Sequence, residues 1–373
     1  MKKSSVALAG FLTMMACNSN PVQEVPVFET FTPECLLSLG RVSDPQLSPD
    51  GNYILYGVSR QDIRKNKSSN QLCLVPADGS AAPVQLTDYK KGVSNARWSA
   101  DGKSIWFLRG GQLWRAPFSG GKLGRAVKRS EVPAGISGFL LSPDNSKLLY
   151  ISSIPGPVKT PADMDPELSK AQAYVAEDLM YRHWDHWMTE IPRTFIASVG
   201  LELVTPAYSV DLLEEGNYFE LPTEPFGGTE QLCWSPDGRY VAYSCRKKQG
   251  RDYAFSTDAE IYIYEVATAK TVCIPMGGGY DTDPVWSPDG KHLAWLSMER
   301  DGYEADKNRL MVCDVDFPSV SAIRDLTGGF DRDAQAPLWS DDSRSLFFAA
   351  EDLGRRPVFR VGLDGGVPEK VAG

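Results

Sequence analysis

The chain has 373 residues, of which 42% are hydrophobic and 23% charged, the composition of an ordinary globular protein. Its formal net charge of −9 argues against a surface dominated by basic side chains. Because nucleic-acid binding requires basic patches that displace counterions, we expect no nucleic-acid partner.

The first residues have the organisation of an export signal. Two lysines precede an apolar stretch at 6–16, which is too short to cross a bilayer as a helix. Cys17 follows an alanine directly, as in bacterial lipoproteins, whose cysteine thiol receives the lipid. We therefore predict a lipoprotein-type signal peptide at 1–17, lipidation at Cys17, a tether at 18–34, and a periplasmic or outer-membrane location. Plain cleavage with a free secreted product is the alternative.

A turn motif recurs through the rest of the chain. Its copies read Ser-Pro-Asp-Gly or a close variant after a tryptophan or leucine, at 47–51, 98–102, 141–145, 234–238, 286–290 and 339–343. Proline fixes φ at the first turn position, aspartate caps the turn and glycine takes the position with positive φ. An apolar run typical of a strand follows each copy, so each motif predicts a hairpin.

The spacing of these turns predicts the fold class. Most intervals are about 50 residues, the period of a four-stranded propeller blade. We therefore predict an all-β fold, a β-propeller of six to seven four-stranded blades over 35–373, with an incomplete ring. An open blade face predicts marginal stability or self-association into a homo-oligomer.

One interval is nearly twice as long as the others and contains a different pattern. Residues 166–187 include good helix formers, a proline near the start and no glycine. We predict a helical arm inserted at about 161–190. An excursion of this length from a blade is usually functional.

Three segments, 42–51, 178–187 and 297–310, resemble a known family. They are similar to secreted bacterial dipeptidyl peptidases of the prolyl oligopeptidase family, in the dipeptidyl-peptidase-five or acylaminoacyl-peptidase-like branch. The resemblance covers roughly residues 35–370. The turn repeat alone also fits TolB-like periplasmic propellers.

The resemblance implies a propeller that caps an α/β-hydrolase domain. In that family the hydrolase carries a G-x-S-x-G nucleophile elbow followed by an aspartate and a histidine. This sequence contains no G-x-S-x-G. We therefore expect the hydrolase domain to be absent, no catalytic residue in this chain, and no peptidase activity by the chain alone.

The resemblance also indicates a substrate-binding role for the arm. In related dipeptidyl peptidases such an arm presents carboxylates to the substrate's N-terminal ammonium, which needs an anionic partner away from water. The candidate substrate-binding residues are Glu177, Asp178, Tyr181, Arg182, His183, Trp184, Asp185 and Trp187. Among them the three carboxylates could bind the ammonium, the aromatic residues could wall the pocket, and Arg182 could bind a substrate carbonyl. The alternative is structural: the aromatic residues dock the arm and Arg182 pairs with a neighbouring aspartate.

Cofactor and metal sites are not predicted. The seven cysteines have no metal-ligand spacing, and His183 and His186 lack a nearby third ligand. The basic run at 246–248 is interpreted as solvated loop charge.

Two functions remain after these exclusions. The first is the substrate-gating and N-terminus-recognising propeller of an exported serine dipeptidyl or acylaminoacyl peptidase. It would act on peptides with a free or acylated N-terminus, together with a hydrolase domain. The alternative is a stand-alone TolB-like periplasmic propeller that binds a protein or glycan. A downstream reading frame encoding G-x-S-x-G, aspartate and histidine would favour the first.

Overall fold

The computed structural model describes residues 30–373 except positions 185, 201 and 215. The predicted signal peptide and Cys17 lie outside these residues. The described part divides into two compact units, the first comprising the residues up to 137 with 200–205, and the second 138–199 with 206–373. No described helix is long and apolar enough to cross a membrane.

The first unit contains two antiparallel sheets, each built from strands that are consecutive in the chain. A short helix, α1 (Pro33–Ser38), precedes them. The first sheet consists of β1 (Arg41–Leu47), β2 (Tyr53–Asp62), β3 (Lys67–Pro76) and β4 (Val84–Gln85). The second consists of β5 (Ser94–Trp98), β6 (Ser104–Arg109), β7 (Gln112–Ser119), β8 (Lys122–Leu123) and β9 (Val127–Lys128), the last also paired with β7.

The second unit contains four more four-stranded antiparallel sheets and a small hairpin. The hairpin pairs β12 (Arg182–His183) with β13 (His186–Trp187). The third sheet contains β10 (Gly138–Leu141), β11 (Lys147–Pro155), β14 (Glu190–Ser198) and β15 (Ser209–Asp211). The fourth contains β16 (Leu232–Trp234), β17 (Tyr240–Cys245), β18 (Glu260–Glu265) and β19 (Lys270–Cys273). The fifth contains β20 (Asp281–Trp286), β21 (His292–Ser297), β22 (Arg309–Asp316) and β23 (Ser319–Asp325). The sixth contains β24 (Gln335–Trp339), β25 (Ser345–Ala349), β26 (Val358–Gly362) and β27 (Gly365–Ala372).

Few helices interrupt these sheets. The second unit has α2 (Pro161–Met164), α3 (Gly250–Phe255) and the 3₁₀ turns Pro166–Leu168, Pro206–Tyr208 and Thr229–Gln231. None of the six described cysteines forms a disulfide.

The repeated turn joins the first two strands of every sheet, as its sequence predicts. In the first copy the Ser48 hydroxyl donates to Asp50 Oδ1 at 2.6 Å, and the same oxygen accepts the Asn52 backbone N–H at 3.1 Å. The serine–aspartate pair recurs in the other five copies at 2.6 to 2.7 Å. Each turn is therefore closed by its own side chains.

The tryptophan before the turn connects neighbouring sheets. In the second unit the Trp339 indole N–H donates to the Val285 carbonyl of the preceding sheet at 3.0 Å. In the first unit the Trp98 indole makes the equivalent bond to Gln46 at 3.4 Å. A residue with a large apolar ring and one donor suits this position, because it fills space between sheets and satisfies a carbonyl.

The hydrophobic core lies between successive sheets. In the second unit the β17 side chains from Val241 to Cys245 are all buried, and Trp295 of β21 is fully buried. Ile261 and Ile263 of β18 pack in the same cluster as Trp295. Sheets that bury both faces need neighbours on both sides, which is the blade pattern of a propeller.

The prediction of a helical arm at 161–190 is wrong. Only α2 and one 3₁₀ turn are helical there, and the insertion ends in the β12–β13 hairpin. Histidine, tryptophan and aspartate, which are weaker helix formers than alanine or leucine, occupy five of the six positions at 182–187. Local propensity was also outweighed by a tertiary contact, since His183 of the hairpin meets a buried carboxylate 37 residues away.

Candidate functional site

The insertion borders a cavity of about 420 Å³ in the second unit. Its walls come from the residues just before the insertion (157–159), the segment 175–180, and the segment 248–250. Met188, Tyr218 and Tyr253 complete the lining. Elements that are far apart in the sequence therefore meet at this cavity.

Backbone pairing brings two of these walls together. Lys159 and Val175 exchange two N–H···O hydrogen bonds, both of 2.9 Å. Glu177 and Asp178 lie two and three residues after Val175, so a paired segment places them at the cavity.

Asp178 is placed by its contact with Gly250. The Asp178 carboxylate accepts the backbone N–H of Leu179 at 2.8 Å, and its other oxygen packs against the Gly250 backbone. Gly250 has φ of +56°, and a Cβ at this position would collide with Asp178 Oδ2. Glycine is therefore required here both for its conformation and for the close approach of the carboxylate.

The charges around the cavity differ in how they are compensated. Lys248 Nζ forms an ion pair with Asp258 at 2.8 Å and donates to the Ser256 hydroxyl at 2.7 Å. Glu177 and Asp178 make no ion pair among the described residues and are exposed. The cavity wall therefore carries two carboxylates whose charge no cation of the described chain neutralises by direct contact.

A buried polar network lies beneath the hairpin. Glu220 is 1% exposed, and its carboxylate contacts His183 Nε2 at 2.7 Å and accepts the Tyr253 hydroxyl. The Glu224 backbone N–H also donates to this carboxylate, at 3.0 Å. Because a buried charge is tolerated only when it is hydrogen-bonded, these contacts fix the hairpin on α3 and on the segment between β15 and β16.

Two groups of this region, the Tyr253 hydroxyl and the Glu224 carboxyl, have perturbed pKa values. Burial, and then the negative charge of Glu220, raises the pKa of Tyr253 well above its ordinary range, so its hydroxyl stays protonated and donates. Burial and the Glu220 charge also raise the pKa of Glu224. The network therefore holds a fixed donor, the Tyr253 hydroxyl, against a fixed acceptor.

The aromatic residues of the hairpin pack mostly on one another. Trp187 stacks on Tyr174 at 4.4 Å and on Tyr181 at 5.8 Å between ring centroids, and the Arg182 guanidinium lies 5.8 Å from the Trp187 ring. Trp184 is 74% exposed and contacts Phe226, also 74% exposed, edge to face at 4.9 Å.

The structure thus separates the predicted site residues into groups. Glu177 and Asp178 line the cavity, whereas Tyr181, Arg182, Trp184 and Trp187 are not among its described lining residues. His183 is a buried residue of the hairpin itself. Asp185 and Cys17 lie outside the described residues. No group of three or more histidine, cysteine, aspartate or glutamate side chains in the described ranges could hold a metal ion.

Sequence reasoning missed Glu220, Tyr253 and Lys248. The interpretation of 246–248 as solvated charge is wrong in detail: Lys248 is ion-paired, and the Arg246 guanidinium lies 4.4 Å from the Tyr253 ring. None of these residues belongs to the turn repeat, and their proximity arises only when the sheets pack. The basic run at 246–248 was the one available signal.

Solved structures place the fold among peptidase propellers. Acylaminoacyl peptidase of Pyrococcus horikoshii matches with a TM-score of 0.62 and 16% identity, over 91% of this chain and 47% of that one. The propeller domain of the trilobed protease from Pyrococcus furiosus matches with a TM-score of 0.54 and 16% identity, over 90% of this chain and 83% of that one. No family model matches the chain. The fold is therefore a β-propeller, as the repeat predicts.

Curated relatives define the family more closely. Dipeptidyl-peptidase 5 of Porphyromonas gingivalis is 40% identical over 325 residues, which is 86% of this chain and 46% of the relative. Dipeptidyl-peptidase 5 of Aspergillus fumigatus is 26% identical over 88% of this chain and 48% of the relative. The chain spans about half the length of the curated relatives it matches. It is a homologue of the dipeptidyl-peptidase 5 proteins, and the part of them that it matches corresponds to a propeller.

Proposed function

We propose that this propeller gates access to an exported serine dipeptidyl peptidase and binds the free N-terminus of its peptide substrates. The nucleophilic chemistry belongs to an α/β-hydrolase domain of the kind that the family carries. The homology to dipeptidyl-peptidase 5 supports the peptidase context. The acylaminoacyl peptidase likeness concerns the fold alone.

One observation carries the proposal: Glu177 and Asp178 stand together on the wall of a cavity without a cationic partner. A peptide ammonium that leaves bulk water needs an anionic acceptor, and two adjacent carboxylates supply several acceptor positions. An acylated N-terminus has no charge to offer these groups. The site therefore favours free N-termini over acylated ones.

The size of the cavity supports gating. At about 420 Å³ it lies toward the small end of ligand pockets, which measure about 300–1,000 Å³. It accommodates the end of an unstructured peptide and excludes a folded domain. The Glu220 network holds the hairpin beside it and also Tyr253 of the cavity lining, so this side of the cavity is anchored.

Peptide binding to the chain tests the recognition step. We expect an alanine pentapeptide amide with a free N-terminus to bind, and its N-acetyl form to bind at least about tenfold more weakly, in calorimetric titrations. The double variant Glu177→Gln, Asp178→Asn should remove this preference. Glu167→Gln, an exposed change in the same insertion, is the matched control and should leave it intact. Equal binding of the two peptides by the unmodified chain would overturn the proposal.

We propose in addition that the chain is exported and lipidated at Cys17. The support is the sequence of the first residues, with a basic start and an apolar stretch that ends at the cysteine. In cells fed a clickable fatty acid, we expect label on the chain and none on Cys17→Ser. Label that persists on Cys17→Ser would contradict lipidation at this residue.

A further inference from the structure

A lysine faces the same cavity as the two carboxylates. Lys159 lines the cavity and makes no ion pair among the described residues. Its ammonium has one hydrogen bond, to the Gly156 carbonyl, and at 3.5 Å this bond is at the limit of useful length. Its charge helps to lower the pKa of Asp163, after hydrogen bonds from Thr160, but these two described side chains form no ion pair. Lys159 is thus a cation available to a ligand.

The second cavity lysine differs from Lys159 in this respect. Lys248 is already neutralised by Asp258 at 2.8 Å and has Asp301 at 3.9 Å. It therefore offers little charge to a ligand, and the available charges are one cation, Lys159, and the anions Glu177 and Asp178.

These opposite charges lie on adjacent walls. Lys159 is hydrogen-bonded through its backbone to Val175, and Glu177 is two residues further along that segment. An extended chain of two residues spans at most about 7 Å, which a cavity of about 420 Å³ accommodates. A ligand with an ammonium at one end and a carboxylate at the other, two residues apart, matches both the size and the charge pattern.

We propose that the cavity binds a free dipeptide as a zwitterion, with its ammonium at Glu177 and Asp178 and its carboxylate at Lys159. This inference rests on the proposed function, because the ammonium end is the same. A free dipeptide is the class of product that a dipeptidyl peptidase releases. A longer substrate has a neutral peptide bond where the dipeptide has its carboxylate. The cavity therefore binds the dipeptide product more tightly than a longer substrate and retains it.

The experiment compares three probes by calorimetric titration of the chain: Ala-Ala, Ala-Ala amide and N-acetyl-Ala-Ala. We expect Ala-Ala to bind about fivefold more tightly than its amide, because only the free acid pairs with Lys159. Lys159→Met should abolish this preference and Lys159→Arg should restore it. Lys170→Met, a change of an exposed lysine in the same insertion that does not line the cavity, should leave the preference unchanged.

The outcomes separate the inference from the proposed function. If Ala-Ala and its amide bind equally while the acetylated probe does not bind, the role of Lys159 is refuted and ammonium recognition stands. If the acetylated probe binds as well as Ala-Ala, ammonium recognition by Glu177 and Asp178 is refuted, independently of the result for the Lys159 variants. If the alanine pentapeptide amide binds and none of the three short probes does, the dipeptide site is refuted alone.

Discussion

Replacing Glu220 by alanine should loosen the hairpin and destabilise the second unit. Glu220 is 1% exposed and meets three partners: the His183 ring, the Tyr253 hydroxyl and the Glu224 backbone N–H. Breaking a buried, hydrogen-bonded charge pair typically costs about 3–5 kcal/mol, because the surviving partners stay buried without an acceptor. We therefore expect Glu220→Ala to lower the free energy of unfolding by about that amount. Tyr253→Phe removes one donor and should cost about 1–2 kcal/mol.

Urea denaturation followed by tryptophan fluorescence measures these differences. Glu167→Ala is the matched surface control and should change the free energy of unfolding by less than about 0.5 kcal/mol. Glu220→Gln keeps the shape and one acceptor, and supplies a milder variant if Glu220→Ala does not fold. A double-mutant cycle of His183→Ala with Glu220→Gln should show a coupling of at least about 1 kcal/mol. Additive effects in that cycle, or a Glu220→Ala cost equal to that of the surface control, would refute the network as the anchor of the hairpin.

Three further predictions concern other parts of the second unit. Burial, strengthened by the charge of Glu260, raises the pKa of Asp281 from 3.8 to about 7, so the folded state loses stability as the pH rises from about 4 to 7. Asp281→Asn should therefore become more stable relative to the unmodified chain as the pH rises through that window, by up to about 4 kcal/mol in the free energy of unfolding. Urea denaturation at pH 4 and at pH 8 measures this difference, and a difference that does not change with pH would contradict the prediction. Gly250→Ala should lower the free energy of unfolding by at least about 1 kcal/mol, because the φ of +56° at this position is strained for alanine. The same variant should weaken binding of free N-termini, because the alanine Cβ displaces Asp178, and unchanged binding would count against this placement of Asp178. Trp339→Phe should lower the free energy of unfolding by about 1 kcal/mol more than Trp286→Phe does, because the Trp339 indole donates to a carbonyl whereas the Trp286 indole N–H has no hydrogen-bond partner among the described residues. Equal losses in the two variants would show that the Trp339 hydrogen bond contributes nothing to stability.

The sheets could be predicted from the sequence because their signals are local. Serine, aspartate and glycine close the turn within five residues, as the contacts of Ser48 and Asp50 show. The strand that follows needs only an apolar run. Repetition of this unit at a nearly constant interval then predicts blades.

The insertion could not be predicted in the same way because distant contacts determine its conformation. A helix over 166–187 satisfies local propensity, but the buried pair of His183 with Glu220 requires a hairpin at 182–187. Nothing near His183 in the sequence indicates that partner. Tertiary contacts therefore outweighed helix propensity in this segment.

The candidate site was predicted in part for the same reason. Glu177 and Asp178 were identified through the family resemblance and line the cavity. Lys159 and Tyr253 reach it from segments that carry no motif. Charge compensation, which distinguishes Lys159 from Lys248, depends on side-chain packing and has no counterpart in the sequence pattern.

The most direct test of N-terminus recognition is kinetic. The chain is fused to the part of Porphyromonas gingivalis dipeptidyl-peptidase 5, its relative at 40% identity, that the match leaves uncovered, and the fusion is assayed with a chromogenic dipeptide substrate. Reversing the charge of Glu177, Asp178 and Asp185 together should raise KM by at least about tenfold with kcat nearly unchanged, because the ammonium loses its partners before the chemical step. An unchanged KM in the reversed variant, with activity intact, would contradict the account.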